Sequence, residues 1–395
     1  METNNNPIPC PICSGNNLEL IIKREDIPVH QNLLISNKYH AIQAIKGNLI
    51  LYLCSSCGFV YNAEFDQSLL SYNKEYDNTQ SHSPLFSKHI HNLINTIIEY
   101  HNIKNKKIIE IGCGNGQFIT ELCKHKENKN TGIGFDPSYK GENKENVSFI
   151  KEFYDSDSIK HLKTPVDIAI CRHVIEHVLN PLELLYNIKK ALIISPQSKI
   201  FIETPCLEWI LQNKVIWDFF YEHCSYFTKE SLTMALELSG FQINRIIHIF
   251  GGQYLWAEAT PYENNQIIKE HQSSNDLNIL HNLCKEFSVS EKSLIKELET
   301  KIKQLNLKGK IAIWGAGAKG VTFVNLIDKN IKLIDSVVDL NPKKQGKYIY
   351  GTGHPIISYH ELANRNIKYI IPMNLYYLDE IITLLKESQI NTEIV

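Results

Sequence analysis

The middle of the chain alternates apolar runs of strand length with stretches of helical period. The runs fall at Ile108–Ile111, Thr131–Phe135, Val147–Lys151, Val166–Arg172 and Lys199–Glu203. Before the first of them, Leu85, Phe86, Ile90, Leu93, Ile94, Ile97 and Ile98 recur at helical spacing between Pro84 and His101, which predicts a helix leading into the sheet. Asn180, Pro181 and Glu183 supply a cap, a proline at the first helical position and a carboxylate in the first turn, so a helix starts there; Thr228 caps another that Gly240 ends. Phe241–Phe250 and Gln253–Thr260, joined at Gly251-Gly252, predict a closing antiparallel hairpin. Residues 262–306 are polar and laced with Lys and Glu, with Phe287, Leu294, Ile295, Leu298, Ile302 and Leu305 at helical spacing, as connecting helices would be. Past Gly309 a second α/β pattern begins, with Lys310–Trp314, a helix to Ile327, and Ile334–Val338. The expected class is α/β: a doubly wound sheet with an antiparallel last strand, then a smaller α/β domain.

Both α/β patterns carry a glycine loop after their first strand. In the first, Glu110 precedes Gly112, Cys113, Gly114, Asn115 and Gly116, and Asp136-Pro137 ends the second strand about 20 residues on, where an acid reads ribose hydroxyls in nucleotide folds. This loop reads as an adenosyl site, with Phe153 and Tyr154 placed either to cover an adenine or to pack a core. The second loop, Gly315-Ala-Gly317-Ala-Lys319-Gly320 followed by Asp339, matches a nicotinamide fingerprint.

Arg172, His173, Glu176 and His177 lie between a strand end and the Asn180 cap. In a doubly wound sheet that loop faces the bound ligand. The order His173-x-x-Glu176-His177 also occurs in metalloproteases, but there it sits on a helix, and here it precedes a helix cap. Further on, Trp217 to Phe227 concentrates aromatic and titratable groups, among them Tyr221, Glu222 and His223. The polar stretch before the first helix carries Tyr72, Tyr76 and His82. Segments so placed cover active sites, and a surface tyrosine is the alternative.

Of ten cysteines, four form the pairs Cys10-x-x-Cys13 and Cys54-x-x-Cys57, the second followed by Gly58. Four thiolates on two tight turns make a closed tetrahedral zinc site of structural type, with residues 14–53 inserted as a loop or hairpin. The formal charge of −2 and the absence of a basic arm exclude a nucleic-acid footprint, which counts against a zinc-ribbon binder. No apolar run approaches the ~18 residues that span a bilayer, and METNNNPIP has no apolar signal region. The expectation is a cytoplasmic monomer acting on a small molecule, with neither membrane nor nucleic-acid partner.

The stretch from Glu110 to Gly116 resembles motif I of class I S-adenosylmethionine-dependent methyltransferases. The order of parts along nearly the whole chain resembles the sugar C-methyltransferase family. The likeness is carried by the four cysteines, Glu75-Tyr76-Asp77-Asn78 with Ser83-Pro84, the His177 loop and Glu222-His223-x-Ser225-Tyr226-Phe227. Gly315–Gly320 and Asp339-x-Asn341-Pro342-x-Lys344-Gln345-Gly346 complete it. It implies a zinc-binding module over 1–75, a methyltransferase core over 76–261, connecting helices over 262–306 and a Rossmann-like domain over 307–395. It further implies S-adenosylmethionine as cofactor, structural zinc, and methylation of a carbon beside the ketone of a nucleotide-linked deoxysugar. Tyr76, His177, Glu222 and His223 would be the catalytic group. The second glycine loop would then hold no nicotinamide. Gly317, Lys319, Asn341 and Tyr221 would instead help hold the nucleotide-sugar, a helix start with Lys319 suiting a diphosphate. Relatives tend to carry Tyr-His-Glu-His where this chain has Phe220-Tyr221-Glu222-His223, which moves or removes a hydroxyl beside the sugar.

Removing a proton next to a ketone needs a base, and an imidazole suits neutral pH, which assigns the role to His223; Glu222 would orient it, provided the chain bends there. His177 and Tyr76 would donate to the ketone or enolate oxygen. The alternatives are an O- or N-methyltransferase on the same core, an oxidoreductase fused through the second loop, and a zinc scaffold without affinity for S-adenosylmethionine.

Overall fold

The computed structural model describes residues 8–71, 75–124, 126–262 and 275–395; Tyr72 and residues 263–274 of the expected connecting helices lie outside them. The chain opens with the first cysteine knuckle and a long antiparallel hairpin of β1 (Leu18–Pro28) and β2 (Lys46–Cys54), with helix α1 (Lys38–Ile42) in its connection. Residues 14–53 are thus the hairpin between the two cysteine pairs. After the second knuckle β3 (Val60–Asn62) pairs with β2.

Helix α2 (Pro84–Tyr100) begins where Ser83 Oγ accepts the Phe86 N–H at 3.1 Å, and it buries Phe86, Ile90, Leu93, Ile94 and Ile97 on one face. There follow β4 (Lys107–Ile111), α3 (Gln117–Cys123), β5 (Thr131–Phe135), β6 (Val147–Ile150), β7 (Ile168–Arg172), α4 (Pro181–Leu192), β8 (Lys199–Pro205) and α5 (Leu207–Gln212). Asn180 caps α4 and Thr228 caps α6 (Lys229–Leu238), which precedes the hairpin of β10 (Phe241–Ile249) and β11 (Tyr254–Pro261); a two-residue strand β9 (Ser225–Tyr226) lies before α6. Seven strands form one sheet in the order β10-β11-β8-β7-β4-β5-β6, parallel throughout except for β11. The strand order reverses between β4 and β7, so the carboxyl ends of those two strands border the crevice where such sheets bind ligands.

β9 does not join that sheet. It pairs with β3 and completes a four-stranded sheet β1-β2-β3-β9, which stitches the residues just after His223 into the cysteine-bearing module. The core is shared as well: Cys10, Ile12, Cys54, Cys57 and Phe59 pack in one cluster with Ile109, Ile111, Ile175 and Phe227.

The described part of 262–306 is a single helix, α7 (Asn275–Asn306). Its Leu280, Cys284 and Phe287 pack with Leu49, Leu51 and Leu53 of the first sheet, while Ile302 enters the core of the last domain. Arg24 from β1 locks it in place, donating to Glu291 at 2.8 Å and to the carbonyls of Ile216 and Phe219. The last domain holds β12 (Lys310–Trp314), α8 (Ala318–Ile327), β13 (Ser336–Val338), β14 (Ile356–Ile357), β15 (Ile367–Pro372), α9 (Leu378–Glu387) and β16 (Glu393–Ile394). Its five strands are all parallel, in the order β14-β13-β12-β15-β16. No described helix is long and apolar enough to cross a membrane.

Candidate active site

After β4 the chain turns through Gly112, Gly114 and Gly116, with φ of 66°, 55° and 72°, the left-handed region that glycine tolerates. A Cβ on Gly112 would stand 2.2 Å from the Val174 side chain, so the loop also needs glycine for its close approach to the β7 loop. Asp136 accepts the Gly114 N–H at 2.8 Å and the N–H and hydroxyl of Ser138 at 2.8 and 2.6 Å, which clamps the acid onto the glycine loop. Asn115 accepts the Gln117 N–H at the start of α3. Glu110 is buried and accepts the Ile119 N–H at 3.1 Å. Burial pushes its carboxyl up to about 8 against the pull of Arg172, and its contact ties α3 to β4 from within. Cys113 is buried; Phe153 is exposed, whereas Tyr154 is buried against Phe135, which is the core position rather than the ligand-facing one.

At the ends of β7 and β8, charges concentrate. Glu203 is fully buried and meets Arg172 Nε at 2.5 Å, His89 Nε2 at 3.0 Å and His173 Nε2 at 3.6 Å. Burial opposes its charge, yet Arg172 and His173 outweigh burial and hold it well below the usual carboxylate range. His173, in a left-handed turn at φ 52°, also faces Glu176 at 3.3 Å. Burial works against its proton, but Glu203 and Glu176 raise its pKa to about 9. Arg172 further stacks its guanidinium 4.4 Å over Phe118. Both residues expected at the cofactor thus spend their charge on buried carboxylates that brace the crevice floor. A folded-state pKa above the unfolded value means His173 contributes stability in full below about 6.5, lost as pH rises through about 9. The melting temperature should fall across that alkaline window, and His173→Gln should flatten the fall.

His177 sits on a single 3-10 turn, Ile175–His177, and not on a regular helix. Its Nδ1 lies 2.9 Å from the carbonyl of Glu222; because that carbonyl only accepts, Nδ1 carries a proton. Its ring meets that of His223 edge to face at 4.7 Å. His223 is buried, backed by Phe220 at 4.1 Å and Tyr226 at 5.9 Å, and its Nδ1 makes no hydrogen bond among the described residues. Burial, with His177, His173 and Lys319 nearby, holds its pKa well below the ordinary histidine range. Donor atoms of Glu176, His177 and His223 all lie within 4.8 Å of one another.

The turn before His223 is fixed by the Tyr226 hydroxyl, which accepts the Phe220 N–H at 3.0 Å and donates to its carbonyl at 3.2 Å. Adjacent side chains then diverge. Glu222, fully buried, does not touch the His223 ring; its carboxylate accepts Tyr76 Oη–H at 3.0 Å, the Gln31 N–H at 2.9 Å and His30 Nδ1 at 3.3 Å. The expected Glu222–His223 orientation is replaced by a Glu222–Tyr76 pair. Tyr221 is buried away from both, its hydroxyl accepting the Asp66 N–H at 2.8 Å.

From the last domain Lys319 reaches across to Asp218 at 2.9 Å and Gln253 at 3.3 Å, 5.3 Å over the Trp209 ring. The second glycine loop is satisfied from within: Asp339 accepts the Ala316 N–H at 2.9 Å and the Asn341 N–H at 2.8 Å, and Lys344 Nζ donates to the Ala316 carbonyl at 3.0 Å. Gly320 serves packing, since a Cβ there would meet the Gly315 carbonyl oxygen at 1.8 Å, while Gly317 has open space. Asn341 is buried, its amide 3.4 Å from Asp77, which joins this domain to the residue after Tyr76.

The four cysteines of the knuckles converge. Sγ atoms of Cys10 and Cys57 are 3.6 Å apart, those of Cys13 and Cys54 3.4 Å, and all four lie within 4.8 Å with none bridged. That is close to the ~3.8 Å edge of a tetrahedron with Zn–S of about 2.3 Å, so the set fits a zinc ion. Gly58, at φ 72°, turns its N–H back onto the Cys54 carbonyl.

A seven-stranded sheet with one reversed strand, a left-handed glycine loop after its first strand and an acid clamped to that loop define the class I S-adenosylmethionine-dependent methyltransferases. Residues 85–246 match the family model of a methyltransferase domain, and residues 259–392 that of a C-methyltransferase C-terminal domain. The two matches follow one another along the chain, the first on a methyltransferase domain and the second on the C-terminal domain of C-methyltransferases. Among curated proteins it is similar to a tRNA U34 carboxymethyltransferase of Campylobacter curvus, 28% identical over 119 residues that cover 28% of this chain and 38% of that one. Among solved structures, an O-methyltransferase family protein from Burkholderia thailandensis aligns at 11% identity and TM-score 0.37, over 46% of this chain and 57% of that one. Magnesium protoporphyrin IX methyltransferase from Synechocystis PCC 6803, solved with bound SAH, aligns at 15% identity and TM-score 0.36, over 47% and 88%. The chain spans less than two thirds of the first two.

Proposed function

We propose that the protein transfers a methyl group from S-adenosylmethionine to the carbon beside the ketone of a nucleotide-linked keto-deoxysugar. The observation that carries this reading is the edge-to-face approach of His177 and His223, 4.7 Å between ring centroids, at the end of β7 and before β9, with Lys319 of the last domain close enough to act on the His223 ring. S-adenosylmethionine supplies an electrophilic methyl on sulfur; the Gly112–Gly116 loop and Asp136 would hold it.

Carbon is a poor nucleophile until it loses a proton, and a proton beside a ketone is acidic because the enolate spreads charge onto oxygen. His223, kept neutral by burial, takes that proton. Alignment of the enolate with the methyl is what the rest of the site supplies, lowering the barrier by roughly 7–11 kcal/mol at most. The Tyr76 proton is already engaged by Glu222, so Tyr76 steadies the acceptor face with its oxygen and has no proton to give away without leaving Glu222. His177 donates to the enolate oxygen when Nε2 is also protonated. With only its Nδ1 proton, held by the Glu222 carbonyl, His177 presents a lone pair, which makes it the second candidate for the base. Lys319 would hold the diphosphate, which would compete with Asp218 for it.

The test is turnover of a nucleoside-diphosphate-4-keto-6-deoxyhexose with S-adenosylmethionine carrying a 13C methyl. The expected product shows that carbon bonded to a ring carbon by NMR; a methoxy or N-methyl signal, or no product, overturns the reading.

A further inference from the structure

The N-terminal module does more than close a metal knuckle. Immediately after β1, residues 30–34 run as a strap that touches both halves of the Tyr76–Glu222 pair. On one side Leu33 forms an antiparallel bridge with Tyr76, the Leu34 N–H donates to the Glu75 carbonyl at 2.9 Å and the Asp77 N–H to the Asn32 carbonyl at 3.0 Å. On the other side His30 and the Gln31 N–H hold Glu222.

His30 is 2% exposed, and its two ring nitrogens are distinguishable by their partners. The Ser71 N–H, which only donates, points at Nε2 from 3.1 Å, so Nε2 carries the lone pair and the proton resides on Nδ1, directed at Glu222 Oε1. Glu222 thus accepts from one main-chain N–H, one phenol and one imidazole. The main-chain donor cannot be mutated away, and Tyr76 is the group being held. His30 is therefore the side chain that decides where the carboxylate, and through it the phenol, stands.

We propose that His30 is a positioning residue for the methyl-transfer reaction: its Nδ1–H anchors Glu222, which in turn fixes Tyr76. This inference rests on the function proposed above. No covalent step passes through His30, and its imidazole keeps its proton throughout.

The test compares three variants in the full-length zinc-loaded protein. Asn carries an amide where Nδ1 stands and can replace the donor; Phe fills the volume without one; Gln places its polar group near Nε2. His30→Phe should lower kcat on the order of 10- to 100-fold while KM for the keto-sugar nucleotide and affinity for S-adenosylmethionine stay within about threefold. His30→Asn should recover most of that loss. Should His30→Phe fail to fold, His30→Asn should still outpace His30→Gln by about tenfold or more. Each is read by methyl transfer and by exchange of the sugar's α-proton in D2O. Wild type that exchanges no α-proton would sink the proposed reaction and this inference with it. Exchange by wild type that His30→Phe matches, equal rates for the Asn and Gln variants, or a loss in which S-adenosylmethionine affinity and melting temperature fall in step, would sink the inference alone.

Discussion

Stripping zinc from the four-cysteine site is expected to dissolve the N-terminal sheet and to abolish methyl transfer. A structural zinc on thiolates is worth about 10–16 kcal/mol, comparable to or larger than the whole stability of an ordinary domain. Without it, Cys10, Cys13, Cys54 and Cys57 become four thiols packed within 4.8 Å of one another, three of them buried. The damage should not stay local. The knuckles share a core with Ile109, Ile111 and Ile175 of the methyltransferase sheet, and β3 pairs with β9 just after His223. The strap that carries His30 leaves from β1 in the same module. Cys54→Ser, or prolonged chelation, should therefore remove one equivalent of zinc by elemental analysis, expose the β1–β2 amides to hydrogen exchange and cut turnover below detection. A chelated protein that keeps its exchange protection and its rate would show that the cysteines hold the fold as thiols.

The frame of the molecule was legible because its signals are local. The apolar runs, the glycines at φ near 60° and the caps at Ser83, Asn180 and Thr228 each act within a few residues, so strand positions and helix starts follow from spacing. The cysteine pairs were legible across residues 14–53 because thiolate chemistry leaves few uses for two such pairs. His177 meets His223 ring to ring and Tyr76 pairs with Glu222, and neither pairing was readable in the sequence. Which carboxylate meets which imidazole depends on the turn fixed by Tyr226 and on His30, 192 positions before Glu222. The same holds for His89: on an amphipathic helix, nothing near it in the chain signals that Glu203 lies 3.0 Å away. Glu203 itself ends an apolar strand, and a carboxylate in that place is the signal that a cationic partner must exist somewhere. Tyr221 illustrates the converse: it stands beside two site residues in sequence, yet the turn directs its hydroxyl to Asp66 of the hairpin module.

Replacing His223 with glutamine is expected to slow α-proton exchange in D2O by about 10²- to 10⁴-fold, the span usual for loss of a positioned base, while leaving S-adenosylmethionine bound. Glutamine keeps a polar tip of similar reach, so Phe220 and Tyr226 retain a partner of near volume and the turn should survive. The pH profile of the wild type adds a second check. Burial and the neighbouring His177, His173 and Lys319 push the His223 pKa down, so the free base is already present at neutral pH and persists as pH falls through 6.5. Exchange should accordingly stay level across that point, where an ordinary histidine base would lose half its activity. If His223→Gln exchanges as fast as wild type and His177→Gln does not, the proton goes instead to Nε2 of His177, whose other nitrogen the Glu222 carbonyl already holds. A rate that halves near pH 6.5 in wild type would count against His223 as the base, since burial and the cations around it hold its pKa well below that value.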